Sequence, residues 1–263
     1  MKALPLILSL LWVHPALAGA AQIMPPDVGI DQHIGTQLPL DLPFRSDADN
    51  RPHPLGEYFH AGRPAILVMG YFGCPQLCTV VMNGMVESLT EIQARVGRDF
   101  DVFFVSINPR ETAELGAAKK RSYVKLYGKP DTADGWHFLT SDENSVAAWA
   151  QAVGIRYRYD TQINQFAHAS GLTIITPSGK ISRYFYGIEF PAADLAASLK
   201  QAADEREGYK VPELLLLCYH YNPISGPYGM LIWRTMQGGA LLTLCGLGFF
   251  IVRSLRQEKE AAS

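Results

Sequence analysis

The chain has no excess of basic residues and no internal repeat. Its 263 residues include 23 Lys or Arg and 25 Asp or Glu, which gives a formal net charge of −2. Nucleic-acid-binding domains normally carry a basic surface, so this balance argues against a nucleic-acid partner. Only 18% of the residues are charged and 48% are apolar. The composition therefore predicts one well-buried domain with additional segments rather than a disordered chain.

Cysteine is also scarce, with four residues, but two of them stand close together. Cys74 and Cys78 lie in the sequence GYFGCPQLCT, between an apolar strand-like run and a helix-like one. The first turn of a helix favours the thiolate, so we expect lowered pKa values for these thiols. At positions i and i+4 both sulfurs project from one side of the turn. This spacing suits metal chelation or a redox disulfide and does not distinguish them; a structural disulfide is less favoured because it would close a very small loop.

A histidine supplies a candidate third ligand. His168 lies in the sequence QFAHASG, directly before a predicted strand, and we expect its loop to lie beside the helix that carries the cysteines. Two thiolates and one imidazole form a soft donor set that suits Cu(I), whereas structural Zn²⁺ normally takes four ligands. If the site holds a metal, the donors therefore favour a copper ion.

The order of predicted elements indicates an α/β, thioredoxin-like fold. Short apolar runs bounded by breakers predict buried strands, and apolar residues at helical spacing predict helices. The predicted strands are 64–72, 101–108 and 136–140, followed by a hairpin of 172–176 and 180–186; the predicted helices are 78–97, 112–127, 141–153 and 191–206. We assign this domain to residues 61–208, preceded by an N-terminal extension and hairpin at 19–60.

Two apolar segments predict export and anchoring. Residues 1–18 resemble a signal peptide, cleaved after Ala18 or Ala20. Residues 231–252 predict a single C-terminal transmembrane helix, and the basic residues in 253–263 predict a cytoplasmic tail. We therefore expect a single-pass protein of the bacterial inner membrane, with its functional domain in the periplasm.

The remaining two cysteines fall near the predicted membrane segment. Cys218 and His220 lie in a predicted juxtamembrane linker, residues 209–230, where they are candidates for a transient copper contact. Cys245 lies inside the predicted span, where a small packing residue is expected.

The motifs around the cysteines and the histidine carry a family resemblance. The sequence YFGCPQLCT, the segment HASG and the later PSGKISRYFYG together resemble the Sco/SenC copper proteins over about residues 35–206. The resemblance implies a thioredoxin-like fold with copper held by Cys74, Cys78 and His168. It also implies a role in assembling the binuclear copper centre (CuA) of cytochrome c oxidase subunit II.

The resemblance leaves two functions open. The first is a copper metallochaperone, rather than a turnover enzyme, that serves the CuA site of subunit II or another copper protein. The second is a thiol:disulfide oxidoreductase that reduces the CuA-site cysteines, with Cys74 and Cys78 as its redox pair.

Three positions depart from the pattern that many members of this family show. Thr79 replaces a proline after the second cysteine, and Ala167 replaces an aspartate before the histidine. Asn108 replaces an aspartate after the second central strand. None of these changes removes a predicted ligand, but Ala167 removes a side chain that could orient the imidazole.

Overall fold

A five-stranded sheet forms the centre of the compact unit that contains residues 27–212. The computed structural model describes residues 27–46, 50–59, 62–75, 77–212 and 229–261. The strands are β1 Gly29–Ile30, β2 Pro43–Arg45, β3 Pro52–Pro54, β4 Ala65–Gly70, β5 Asp101–Ser106, β6 Trp136–Leu139, β7 Ile155–Asp160, β8 Gln165–His168, β9 Gly171–Ile175 and β10 Ile181–Tyr186. The helices are α1 Leu77–Glu91, α2 Ala113–Tyr127, α3 Glu143–Val153, α4 Ala192–Ala203 and α5 Gly229–Ala261.

The central sheet has the strand order β10-β9-β4-β5-β6. Strands β4, β5 and β6 run parallel, whereas β9 and β10 are antiparallel to their neighbours. Every residue of β4 and β5 is buried. Strands covered on both faces read as continuous apolar runs, which is why the sequence pattern identified them. The predicted α/β, thioredoxin-like fold is confirmed for this part of the chain.

The ends of the helices follow from local chemistry. The Thr112 hydroxyl accepts a hydrogen bond from the backbone N–H of Leu115 and begins α2. The Asp142 carboxylate accepts one from the backbone N–H of Ser145 and begins α3. Such caps satisfy backbone donors that the first helical turn leaves unpaired. Gly154 ends α3 in the left-handed conformation with φ of 79°, which glycine adopts without steric cost. These helices confirm the predicted α2 and α3.

A second, smaller sheet contains strands that the sequence pattern did not predict. Its order is β1-β7-β8, with all pairs antiparallel. In β7 and β8 polar and charged residues alternate with partly buried tyrosine and phenylalanine side chains, so no continuous apolar run marks them. His168 was expected in a loop but is the last residue of β8, opposite Tyr157. Strands β2 and β3 form a separate hairpin in the predicted N-terminal extension.

The prediction of a membrane anchor is wrong. Within 27–212 and 229–261, apart from the short gaps given above, no helix combines the length and the hydropathy needed to cross a bilayer. Gln237, Thr243 and several glycines interrupt the apolar run of α5 and add little hydropathy. The structure therefore does not support the predicted transmembrane helix 231–252. It also does not support the predicted single-pass topology in the inner membrane, with a periplasmic domain and a cytoplasmic C-terminus. The predicted signal peptide 1–18 lies outside the described residues, as do Cys218 and His220.

The packing of α1 settles the role of two methionines near the cysteines. Met82 and Met85 lie on α1 and are both fully buried in the hydrophobic core. They are three residues apart and so share one face of the helix, a spacing that favours core packing over a role as soft metal ligands. Both side chains therefore pack α1 against the hydrophobic core and are not ligands of the metal centre.

We expect Met85→Ala to lower the free energy of unfolding by about 2 to 5 kcal/mol, because it leaves a cavity in the core. Met85→Leu should cost less than about 1.5 kcal/mol, because it keeps the volume. Denaturant unfolding monitored by circular dichroism checks both values. Equal stability of the alanine and leucine variants would contradict the core position of this side chain.

Candidate metal centre

The two cysteines lie where β4 passes into α1. Strand β4 ends at Gly70, a short turn carries Cys74, and Cys78 lies in the first turn of α1. The backbone N–H of Cys78 donates a hydrogen bond to the Cys74 sulfur at 3.4 Å. Both residues are free thiols, and both are buried. The structure therefore places two reduced sulfurs side by side at the carboxyl end of a central strand.

His168 reaches the same place from the smaller sheet. Its Nε2 atom lies 3.1 Å from the Cys78 sulfur, and the imidazole is buried. The other ring nitrogen, Nδ1, lies 3.0 Å from the carbonyl oxygen of Ala169. A carbonyl only accepts hydrogen bonds, so this contact assigns the proton to Nδ1 and leaves the lone pair of Nε2 directed at the sulfur.

The three predicted residues form one compact cluster. The sulfurs of Cys74 and Cys78 and a ring nitrogen of His168 all lie within 4.8 Å of one another. Within the described ranges, these three make up the one group of histidine, cysteine and acidic side chains that could hold a metal ion. The arrangement could either bind a soft cation or, by movement of the two sulfurs, form a disulfide.

The expected lowering of the thiol pKa is not found at Cys78. The hydrogen bond with the Cys74 side chain and burial raise the pKa of the Cys78 thiol above its ordinary value. Position in the first helical turn favours the thiolate, but the hydrogen bond with Cys74 and removal from water oppose it and together are the larger effect here. A metal ion that binds Cys78 must therefore displace a proton.

Gly70 forms the floor of the cluster. A methyl group added at Gly70 would lie 2.9 Å from the Cys78 sulfur and 3.2 Å from the ring of Phe104. The first distance is well inside van der Waals contact, so the absence of a side chain at position 70 makes room for the sulfur. Any larger residue would push Cys78 or Phe104 away.

Tyr71 forms one wall of the cluster. Its ring packs edge-on against His168, with ring centres 6.1 Å apart, and against Phe166 at 5.7 Å. Burial and the neighbouring Cys74 side chain raise the pKa of the Tyr71 hydroxyl. The side chain therefore links the thiol loop to the strand that carries the histidine.

Glu111 is a residue of this region that the sequence analysis missed. Its carboxylate accepts hydrogen bonds from the backbone N–H groups of Phe72 and Gly73 at 2.7 and 2.6 Å, and from the Ser106 hydroxyl at 2.6 Å. The sequence signal was weak, namely an acidic residue shortly after the second parallel strand. Because parallel strands end at the same edge of a sheet, that position lies next to the cysteine loop.

Two other histidines of the same compact unit lie apart from the cluster. The ring of His137 stacks on Phe103 in the core, with centres 4.7 Å apart. His53 contacts Glu57 at the surface. Cys245 is exposed on α5 rather than packed. These positions are consistent with structural or surface roles.

The part of the chain that carries the cluster matches a known protein family. A model of the SCO1/SenC family matches residues 43–204, which is more than half of the chain and includes the whole cluster. The chain belongs to the SCO1/SenC family. No curated protein sequence matches it at a significant level.

Solved structures of other proteins are similar to this chain in fold. An electron-transfer candidate from Aquifex aeolicus VF5 superposes with a TM-score of 0.56 at 21% identity, covering 66% of this chain and 95% of that one. BsSco, described as a member of the Sco family of cytochrome c oxidase assembly proteins, gives 0.50 at 17%, covering 66% and 98%. ScoI of Arabidopsis thaliana, solved with copper bound, gives 0.49 at 18%, covering 65% and 99%.

The positions that depart from many SCO1/SenC sequences have ordinary structural roles here. Thr79 hydrogen-bonds the hydroxyl of Tyr123, whose pKa is raised by burial. The Asn108 side chain accepts a hydrogen bond from the backbone N–H of Arg110. Ala167 pairs with Arg158 in the β7–β8 ladder. The Ala169 carbonyl, not a residue at 167, orients the imidazole.

We expect Gly70→Ala to displace the Cys78 sulfur from His168 and to lower the free energy of unfolding by about 1 to 3 kcal/mol, the usual cost of overpacking a core. Denaturant unfolding gives the stability, and NMR signals of the His168 ring report the displacement. Gly239→Ala on α5, where an added methyl meets nothing within 4 Å, is the control and should not lower the stability. Unchanged ring signals in Gly70→Ala would show that the floor is not tight.

Proposed function

We propose that the protein binds one Cu(I) ion through Cys74, Cys78 and His168 and delivers it during assembly of cytochrome c oxidase. The observation that carries this proposal is the buried cluster of two sulfurs and one imidazole nitrogen within 4.8 Å. Copper is the cargo of such a protein, not a resident catalytic group.

The donor set supports Cu(I) over other common ions. Thiolates and imidazole are soft or borderline ligands, and three of them suit the low coordination number of Cu(I). A structural zinc site normally has four protein ligands, and in the described part of the chain no fourth histidine, cysteine or acidic side chain joins the group. The burial of all three residues also protects a bound Cu(I) from water.

The recipient we propose is the CuA site of cytochrome c oxidase subunit II. Membership of the SCO1/SenC family supports this choice. Transfer proceeds by ligand exchange, in which a cysteine of the recipient replaces one thiolate of the carrier at a time. Cys74 is the natural first leaving ligand, because the exposed Gly73 and Pro75 flank it while Cys78 lies deeper.

We expect the reduced wild-type protein to bind one equivalent of Cu(I) tightly in competition with a chelator. Cys74→Ala, Cys78→Ala and His168→Ala should each weaken binding by more than about a hundredfold, beyond the effect usual for residues that only orient a ligand. Cys245→Ala and His53→Ala are matched controls outside the cluster and should bind like wild type. Retention of wild-type affinity by His168→Ala would reject the three-ligand site.

A second candidate function is reduction of a partner disulfide. It is favoured by the adjacent free thiols of Cys74 and Cys78. In this reaction the Cys74 thiolate attacks one sulfur of the partner disulfide, and the other partner sulfur leaves as a thiolate. Cys78 then gives up its proton and attacks Cys74, which forms the intramolecular disulfide and releases the partner as a dithiol.

If reduction is the main function, Cys78→Ser should trap a mixed disulfide between Cys74 and the oxidised soluble domain of subunit II. Cys74→Ser should trap much less, and His168→Ala should leave the reaction rate close to wild type. Non-reducing electrophoresis and mass spectrometry detect the adduct. The absence of an adduct with Cys78→Ser, together with tight Cu(I) binding by wild type, would leave copper delivery as the function.

A further inference from the structure

Glu111 lies outside the donor set but contacts the loop that carries Cys74. One carboxylate oxygen, Oε2, accepts from the Phe72 N–H and the Ser106 hydroxyl, and the other, Oε1, accepts from the Gly73 N–H. We call this carboxylate with its three donors the Glu111 bridge. All three distances are 2.6 or 2.7 Å, in the range of charge-assisted hydrogen bonds, which are about twice as strong as neutral ones.

The Glu111 bridge joins the loop to a fixed point of the sheet. Ser106 is the last residue of β5 and lies opposite Gly70 in the parallel ladder. Gly70 is also the residue whose missing side chain leaves room for the Cys78 sulfur. The Glu111 bridge therefore connects the residues just before Cys74 to Ser106. Ser106 lies opposite Gly70, next to which the Cys78 sulfur packs.

Space around the bridge is restricted. A methyl group added at Gly73 would lie 3.2 Å from Oε1 of Glu111, closer than most real contacts of this kind. The loop thus approaches the carboxylate through backbone alone. Two successive N–H groups on one carboxylate fix the orientation of both peptide planes, and the second of these residues is bonded directly to Cys74.

We propose that Glu111 is a positioning residue of the copper centre, which holds the Cys74 loop so that both thiols and His168 face one ion. This inference rests on the proposed function for its copper readout. Glu111 does not touch the ion; it acts through the peptide groups of Phe72 and Gly73. Its loss releases the loop while leaving all three ligands in the chain.

The experiment compares wild type with Glu111→Gln, in which the amide offers one acceptor oxygen in place of two. Glu114→Gln is the matched control, because Glu114 carries the same charge near the same end of α2 but contacts Asn50 instead. We expect Glu111→Gln to speed hydrogen exchange at the amides of Phe72 and Gly73 and to weaken Cu(I) binding about 10- to 100-fold. Glu114→Gln should match wild type in both measurements. Glu111→Asp, which restores a carboxylate on a shorter arm, should recover part of the affinity.

Two results would overturn the inference: unchanged exchange at both amides in Glu111→Gln, or faster exchange with unchanged Cu(I) affinity. If Glu111→Gln does not fold, Ser106→Ala removes one donor of the bridge and should show smaller changes in the same direction; no change would again overturn it.

Failure of the proposed function gives a different result, because wild type itself would then not bind Cu(I). The midpoint potential of the Cys74 and Cys78 pair decides the role of Glu111 in that case. A potential shifted in Glu111→Gln but not in Glu114→Gln supports positioning of the thiol loop, and equal potentials in all three proteins reject it.

Discussion

The contact between the Cys78 sulfur and the imidazole of His168 joins parts of the chain that are 90 residues apart. It exists only because the central sheet fixes where β4 ends and the smaller sheet fixes where β8 ends. Both groups are polar and buried, so the contact between them helps to satisfy groups that water does not reach. The remaining features of the region, namely the glycine under the sulfur, the Ala169 carbonyl and the wall of Tyr71, all serve to make this contact possible.

The sequence was sufficient for the central sheet and its helices, because buried parallel strands and capped helices leave strong local patterns. It was also sufficient to select the three residues of the cluster, since two thiols four residues apart stand between a strand and a helix and the motifs around them and His168 resemble one family. The β7–β8 hairpin was missed because its residues are mixed in polarity. Glu111 was missed because its role depends on two strands ending at one edge, which only the assembled sheet reveals. The predicted transmembrane helix was wrong because the length of an apolar segment was weighed more heavily than the polar and small residues within it.

The thiol chemistry shows a conflict between local and tertiary effects. A helical first turn favours a thiolate, yet the Cys74 hydrogen bond and burial raise the pKa of Cys78. A buried thiol that remains protonated reacts slowly with oxidants and weak ligands. It still exchanges its proton for a soft cation, because the metal–sulfur bond offsets the loss of hydration. The same burial therefore protects the empty site and would stabilise a copper ion bound there.

The donors of the cluster belong to two different sheets. The thiols belong to the connection between β4 and α1, whereas His168 belongs to β8, and among the described strands the two sheets share no ladder. Side-chain packing, in which Tyr71 contacts both His168 and Phe166, and the short connection from His168 to β9 together set the separation of imidazole and sulfurs. Strand β9 begins only three residues after His168, and it pairs with β4, the strand that leads to the thiols. The imidazole and the sulfurs therefore share one hydrogen-bonded frame, although their strands belong to different sheets.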